Sequence, residues 1–261
     1  MRLSVDKLRV SYPDFVAVHD ISLEVPAGKV AVIVGPNGCG KSTLLRTLAR
    51  LHKPDSGEAA VDGKRVWNMK PAVAAKHIAL LPQSPIAPEG ITVRGLVQYG
   101  RHPHQGLFWQ WTDADEQAVR QALVATGMEH LAARKLSQLS GGQQQRCWLA
   151  TVLAQETPLV LLDEPTSMLD MGHQTEVLSL VRELAKTGRS FVIVLHDLIA
   201  AARYADILIA MRDGKLVAQG KPSDIVTSEL VRQLYDVDAD VLKAPADGAP
   251  VVVPMARSMV A

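Results

Sequence analysis

The chain has 261 residues, of which 48% are hydrophobic and 21% are charged, and its formal net charge is +1 at pH 7. This composition is typical of a globular protein with one large or two small domains, and so small a net charge creates no long-range field for nucleic acid or anionic lipid. The apolar runs are too short to cross a bilayer and the first residues lack an apolar signal core, so we expect a cytoplasmic chain with no nucleic-acid partner.

A glycine-rich loop lies between a short apolar strand, Val30 to Val34, and leucines at helical spacing from Leu44 to Leu48. In this setting glycines let backbone N–H groups converge on one anion, and the helix start adds its positive dipole end. Lys41 would reach the β- and γ-phosphates, and Ser42 would offer a hydroxyl to Mg²⁺. The predicted phosphate-binding loop comprises Gly35, Pro36, Asn37, Gly38, Cys39, Gly40, Lys41, Ser42 and Thr43.

Two further segments precede this loop, and alternating apolar residues predict strands over 3–10 and 16–25. Tyr12 lies between them and has two interpretations. Its ring could stack on an adenine base, or it could simply end a strand. Both remain open from the residues alone.

After the loop, Asp62-Gly63 is typical of a hairpin, and Ile78 to Leu81 predicts another buried strand that ends at Pro82-Gln83. Gln83 carries an amide donor and a carbonyl acceptor, which could contact Mg²⁺ or an attacking water. A polar residue that merely ends a strand is the alternative.

Residues 86–157 favour helices and contain no strand-like run. Within them, Tyr99 to His104 and the aromatic residues Phe108, Trp109 and Trp111 concentrate ring and basic groups. These groups suit either a docking patch, to which Arg101 and His102 would contribute, or a surface loop folded onto the core. Thr112 or Asp113 is expected to cap the helix that follows.

Ser140 is expected to cap a later helix that begins with the bare amides of Gly141 and Gly142, followed by Gln143. A helix start of this kind binds anions, so the chain contains a second candidate phosphate contact.

Asp163 and Glu164 follow the apolar strand Leu159 to Leu162. Adjacent residues of a strand point to opposite faces, so the two carboxylates could have different roles. Asp163 is placed to hold Mg²⁺, and Glu164 to polarise the attacking water as a general base. The strand Phe191 to Leu195 delivers His196, whose imidazole would hydrogen-bond the γ-phosphate. The chain then predicts a hairpin turning at Asp213-Gly214 and short helices, and we assign no function to the Pro-, Ala- and Gly-rich residues from Lys243 onward.

Taken together, GPNGCGKST at 35–43, Gln83, LSGGQ at 139–143, LVLLDEP at 159–165, SMLD at 167–170 and His196 resemble the ATPase subunit of an ATP-binding cassette (ABC) transporter. The likeness covers nearly the whole chain. Within that family, the segments 99–104, 194–198 and 250–254 resemble importers of ferric siderophores, ferric dicitrate, haem and cobalamin. Gln144 departs from the family, in which many members carry a basic residue at this position.

The resemblance implies an α/β fold: a RecA-like P-loop NTPase core with an antiparallel β subdomain and an inserted α-helical subdomain. The expected divisions are a first part of the core at 1–85, the helical subdomain at 86–157, a second part of the core at 158–243 and an extension at 244–261. Catalytic roles fall to Glu164, His196 and Gln83, and Mg²⁺ would be held by Ser42, Gln83 and Asp163. ATP contacts extend from the phosphate loop to Tyr12, Ser140, Gly141, Gly142, Gln143 and Asp170.

The resemblance also implies two chains arranged head to tail, a membrane permease on the cytoplasmic face of the inner membrane, and a substrate-binding protein that acts only through that permease. The leading expectation is an importer of a ferric siderophore or ferric dicitrate. A haem or cobalamin importer is the alternative within the family. A soluble ABC ATPase without a transport role is the alternative of another class, although such proteins usually join two cassettes or carry a long coiled coil.

Overall fold

The structure, a computed structural model, describes residues 1–105, 110–167 and 169–255. Its strands are β1 (Leu3–Tyr12), β2 (Phe15–Val25), β3 (Val30–Val34), β4 (Ser56–Val61), β5 (Lys64–Arg65), β6 (Ile78–Leu81), β7 (Leu159–Asp163), β8 (Ser190–Val194), β9 (Ile207–Arg212), β10 (Lys215–Gly220), β11 (Ala239–Lys243) and β12 (Pro250–Pro254). Its helices are α1 (Lys41–Leu48), α2 (Pro71–Ala74), α3 (Val93–Tyr99), α4 (Asp113–Ala125), α5 (Gly141–Ala154), α6 (Met171–Lys186), α7 (Leu198–Tyr204), α8 (Pro222–Ile225) and α9 (Ser228–Tyr235). Within the described ranges, no helix is long and apolar enough to cross a membrane.

A six-stranded sheet of order β10-β9-β3-β8-β7-β6 forms the centre of the molecule, and all of its strands except β10 run parallel. Strands β3, β7 and β8 are buried along their whole length, as expected for apolar runs covered on both faces. Because parallel strands end at one edge of a sheet, the residues that follow β3, β6, β7 and β8 meet there.

A second sheet, of order β2-β1-β4-β5, is antiparallel and packs against one face of the central sheet together with α1. Alternate residues of β3 separate the two faces. Ala31 and Ile33 point towards the antiparallel sheet, whereas Val32 and Val34 pack in the cluster that contains the helical layer. The predicted α/β class and the hairpins at Asp62-Gly63 and Asp213-Gly214 are confirmed.

Helices α3, α4 and α5 contact one another beside the central sheet. Thr112 caps α4, as predicted, and forms a reciprocal pair of hydrogen bonds with Asp115. The expectation of an exposed Arg101 is wrong, because only 4% of this residue is accessible. Its guanidinium donates to Asp115 (2.9 Å), to the Ala154 carbonyl (2.7 Å) and to Glu156 (2.7 Å), so it joins α4 to the end of α5.

Trp111 and Tyr99 remain candidates for the docking patch, with 40% and 56% of their surface exposed. Phe108 and Trp109, which we also expected there, lie outside the described residues.

The described residues after Lys243 include strand β12, which the sequence analysis did not predict. Strand β12 pairs antiparallel with β11, and Lys243 stands opposite Pro250. The expected boundary at 243 therefore falls inside a hairpin. The remaining subdomain divisions stay a prediction.

Candidate functional site

The phosphate-loop segment follows β3 at the carboxyl edge of the central sheet and runs into α1. Its backbone is packed tightly against neighbouring strands. A Cβ atom on Gly35 would lie 2.0 Å from the Met211 carbonyl oxygen, and one on Gly40 would lie 2.2 Å from that of Ala17. Gly40 also has a φ of 96°, which side-chain-bearing residues rarely adopt. Only glycine fits at either position without moving the backbone.

Lys41 is buried within this loop, and its ammonium group donates to the carbonyl oxygens of Gly35 (2.9 Å) and Pro36 (2.8 Å). The loop's own backbone therefore positions the cation beside the cleft that the loop lines. Cys39 lies next to it, with 3.8 Å between its sulfur and the Lys41 nitrogen. Burial raises the pKa of the Cys39 thiol, which is the expected behaviour of a packing residue.

Ser42 and Asp163 are joined by a hydrogen bond of 2.9 Å from the serine hydroxyl to the carboxylate. Burial, together with the charge of Glu164, raises the pKa of Asp163 despite opposing effects from Ser42, Arg46 and Lys41. Mg²⁺ held by this carboxylate would oppose the rise in its pKa, because a bound cation favours the charged form.

These oxygen donors fit Mg²⁺. A hydroxyl, a carboxylate and the Gln83 amide are hard ligands, and phosphate oxygens would supply others. The described residues contain no cluster of three or more His, Cys, Asp or Glu side chains that could hold a metal ion.

Glu164 forms one hydrogen-bonded group with the other two predicted catalytic residues. Its Oε2 accepts from the Gln83 side-chain amide (2.6 Å), and its Oε1 lies 2.5 Å from His196 Nε2. The backbone at Glu164 has a φ of 52°, so the strand alternation that predicted opposite faces for Asp163 and Glu164 does not extend to this position. The turned backbone directs the Glu164 carboxylate into the cleft.

The cleft itself has a volume of about 400 Å³. Its lining comprises Phe15, Asn37, Gly38, Gly40, Lys41, Ser42, Thr43, Gln83, Glu164 and His196. The structure thus brings most of the predicted phosphate-loop residues together with the residues that follow β6, β7 and β8.

Phe15 is a cleft residue that the sequence analysis missed. It is 58% exposed, and its ring stacks on Tyr12 with centroids 5.2 Å apart. Tyr12 lies behind it, between Phe15 and His52, and its hydroxyl is 3.5 Å from the Thr43 hydroxyl. The available signal was a second aromatic residue three positions after Tyr12. Base stacking by Tyr12 stays a prediction.

The Ser140–Gln143 segment begins α5, where Ser140 and Gln143 each bond the other's backbone N–H. Gly142 packs beside the start of α6, since a Cβ on it would lie 3.6 Å from the ring of His173. Asp170 caps α6 and accepts from both the backbone and the ring of His173. As far as the described residues show, the cleft lining includes neither Asp170 nor the Ser140–Gln143 segment.

The fold and the cleft define a P-loop nucleoside triphosphatase. Residues 18–167 match the ABC transporter family, and the chain belongs to that family. Members of this family bind ATP and hydrolyse it to power transport, and the chain is an ATPase of this kind.

The chain is similar to known proteins over nearly its full length. It is 47% identical to the ferric enterobactin transport ATP-binding protein FepC of Escherichia coli (strain K12), covering 98% of this chain and 95% of that protein. It is 46% identical to the petrobactin import ATP-binding protein FpuD of Bacillus anthracis, covering 97% and 93%. Among solved structures, an inward-facing metal-chelate type ABC transporter, itself described as putative, matches 98% of both chains at 30% identity and a TM-score of 0.85.

Proposed function

We propose that this chain is the ATP-hydrolysing subunit of an importer for ferric siderophores. The observation that carries the proposal is its similarity, across nearly the whole length, to two ATP-binding proteins named for siderophore transport. It would work as a head-to-tail pair on the cytoplasmic face of the inner membrane, attached to a permease, and a substrate-binding protein would act on it only through that permease.

The cleft supports hydrolysis by positioning and electrostatics, as phosphoryl transfer requires. Lys41 would direct its charge to the β- and γ-phosphates, and Ser42, Asp163 and Gln83 would hold Mg²⁺, which neutralises phosphate charge when bound. Glu164 would accept a proton from the water that attacks the γ-phosphorus, while the bond to the bridging oxygen breaks and ADP leaves.

Gln83 and His196, which contact the Glu164 carboxylate, are placed to hold it in position. Gln83 and His196 each contact one carboxylate oxygen and so fix the plane of the carboxyl group. A general base must sit within hydrogen-bond reach of the proton it removes. We propose that Gln83 and His196 orient the Glu164 carboxylate, in addition to making their expected contacts with phosphate and Mg²⁺.

The position of the Ser140–Gln143 segment supports a site composed of two chains. Ser140 and Gly141 are exposed at the start of α5, away from the lining of the cleft in their own chain. A helix start with free amides suits phosphate. In a head-to-tail pair, this segment and Asp170 would meet the nucleotide bound by the other chain.

An apolar cleft of about 480 Å³ supports the attachment of a permease. It lies between the end of α1, helix α2 and strand β6, and it includes Leu51, which is 68% exposed, and Pro82. Pro82 directly precedes Gln83, whose amide contacts Glu164. A permease segment seated there could shift Gln83, and this would couple transport to hydrolysis. Residues 83–111, with exposed Tyr99 and Trp111, would extend the contact.

The test is uptake of radiolabelled ferric chelates by a deletion strain under iron limitation, with cysteine cross-linking at Leu51 and within 83–111. We expect loss of ferric siderophore uptake and a cross-link to a membrane protein. The matched control is the deletion strain complemented with the Glu183→Gln variant, which carries a change on the exposed face of α6.

Other outcomes would redirect the assignment. Loss of only ferric dicitrate or haem uptake would move it to those importers. Loss of only cobalamin uptake would favour a second candidate, because a cobalamin import ATP-binding protein of Halobacterium salinarum is 40% identical over 98% of this chain and 64% of that protein. Normal uptake of every chelate and no cross-link would favour an ABC ATPase without a transport role.

A further inference from the structure

His173, in the first turn of α6, holds the carboxylate of Asp170 by both of its oxygens. The backbone N–H of His173 donates to Oδ1 at 2.9 Å, and its ring Nδ1 lies 2.8 Å from Oδ2. These bonds lower the pKa of Asp170, so its carboxylate is charged at neutral pH. Because a charged carboxylate can only accept, the ring nitrogen is the donor.

The same ring packs beside the start of α5. A Cβ on Gly142 would lie 3.6 Å from the His173 ring, which is ordinary van der Waals contact. One turn further along both helices, Arg146 donates to Glu176 at 3.1 Å. The helices α5 and α6 thus contact each other at two successive levels, and the first contact is made by the residue that also holds Asp170.

Folding stability does not explain the bond from the ring. The side chains of His173 and Asp170 are 40% and 68% exposed, and a pair so open to solvent contributes little to stability. Asp170 would also cap α6 with any side chain at position 173, because the cap uses the backbone N–H. What the ring bond adds is a fixed orientation of a surface carboxylate.

We propose that His173 is a positioning residue for the nucleotide site composed of two chains. It fixes Asp170 and links it to the start of α5, so that Asp170 and the Ser140–Gln143 segment meet the partner's nucleotide as one unit. The ring donor also offsets the charge of a carboxylate that would otherwise repel the phosphates, since like charges across an interface disfavour association. His173 acts through Asp170, and the inference rests on the proposed head-to-tail pair.

The test separates the two properties of the ring. His173→Phe keeps a ring beside Gly142 but removes the donor. His173→Asn removes the ring but keeps a donor, because the Asn amide nitrogen occupies the place of Nδ1 on the side chain. Both changes are made in full chains that carry Glu164→Gln, in which bound ATP should persist, and the dimerisation constant with Mg-ATP is measured by analytical ultracentrifugation.

A lost hydrogen bond should weaken dimerisation by about two- to tenfold. We expect that loss for His173→Phe and a smaller one for His173→Asn. Nucleotide binding by the monomer, measured at concentrations too low for dimerisation, and thermal unfolding should be unchanged in both variants. The matched control is His130→Phe, the same substitution at an exposed histidine after α4, and it should dimerise as the Glu164→Gln parent does.

A double-mutant cycle tests whether His173 acts through Asp170. In a chain that already carries Asp170→Ala, His173→Phe should weaken dimerisation no further, because the group that it positions is gone. An undiminished loss in that chain would overturn the proposal. A fall in unfolding temperature for His173→Phe would overturn it as well, because the ring bond would then support the fold of the single chain.

The Glu164→Gln parent distinguishes this inference from the function on which it rests. If the parent forms no dimer with ATP, the head-to-tail pair is wrong and the role of His173 is rejected with it. If the parent dimerises and His173→Phe dimerises equally well, the pair stands and only the role of His173 is rejected.

Discussion

Replacing Glu164 with glutamine removes a base while preserving the shape of the side chain. The new amide oxygen can still accept the bond from Gln83, whereas an NH₂ group takes the place of the carboxylate oxygen that contacts His196. The loop and Lys41 are unchanged, so we expect Mg-ATP binding to persist. Turnover should fall at least about 100-fold, which corresponds to about 2.7 kcal/mol of transition-state stabilisation.

The assay for Glu164→Gln combines phosphate release with size-exclusion mass measurement in the presence of ATP. Because ATP binds but is not consumed, the variant should accumulate as an ATP-bound dimer. Glu183→Gln is the matched control, since Glu183 is exposed and pairs with Lys186 on the surface of α6. Turnover of Glu164→Gln within about tenfold of the wild type would refute its assignment as general base.

The remaining predictions concern the loop, the second chain and the helical layer. Lys41→Ala should weaken ATP binding in calorimetry. A unit charge about 4 Å from a phosphate charge interacts by about 4 kcal/mol at an effective dielectric constant of about 20, and solvation reduces this energy. Equal affinity of the variant and the wild type would contradict this role. Ser140→Arg should bind ATP but not hydrolyse it, and mixing it with Lys41→Ala chains should restore some activity through one intact composite site; failure to do so would count against the head-to-tail pair. Arg101→Ala should lower the free energy of unfolding in urea by about 3 kcal/mol, because it leaves the buried Asp115 without its cation. The control is Arg120→Ala, which breaks an exposed pair with Glu129 and should lower that free energy by less than about 1 kcal/mol. Equal unfolding midpoints for these two variants would show that the buried pair adds no stability.

Local patterns in the sequence were sufficient to place the main elements of the fold. The apolar run from Val30 to Val34 can be buried only when it is covered on both faces, which indicates a central parallel strand. The glycines predicted the phosphate loop, and Ser140 predicted the start of α5. Both predictions were possible because backbone conformation and helix caps depend on neighbours a few residues away. The residues at the carboxyl edge of the sheet follow from the same reasoning, since each comes directly after a predicted strand.

Contacts between distant parts of the chain were decided only by the tertiary structure. Arg101 looked like an exposed binding group, but its partners are Asp115 in α4 and Glu156 just after α5. Both are distant in the chain, and no local pattern predicts them. The turn at Glu164 that brings it to Gln83 likewise depends on packing at the sheet edge. The sequence thus determined which chemical groups stand at the ends of which strands, because strand and turn preferences are local; packing determined which of those groups touch and which are buried, because both depend on residues far apart in the chain.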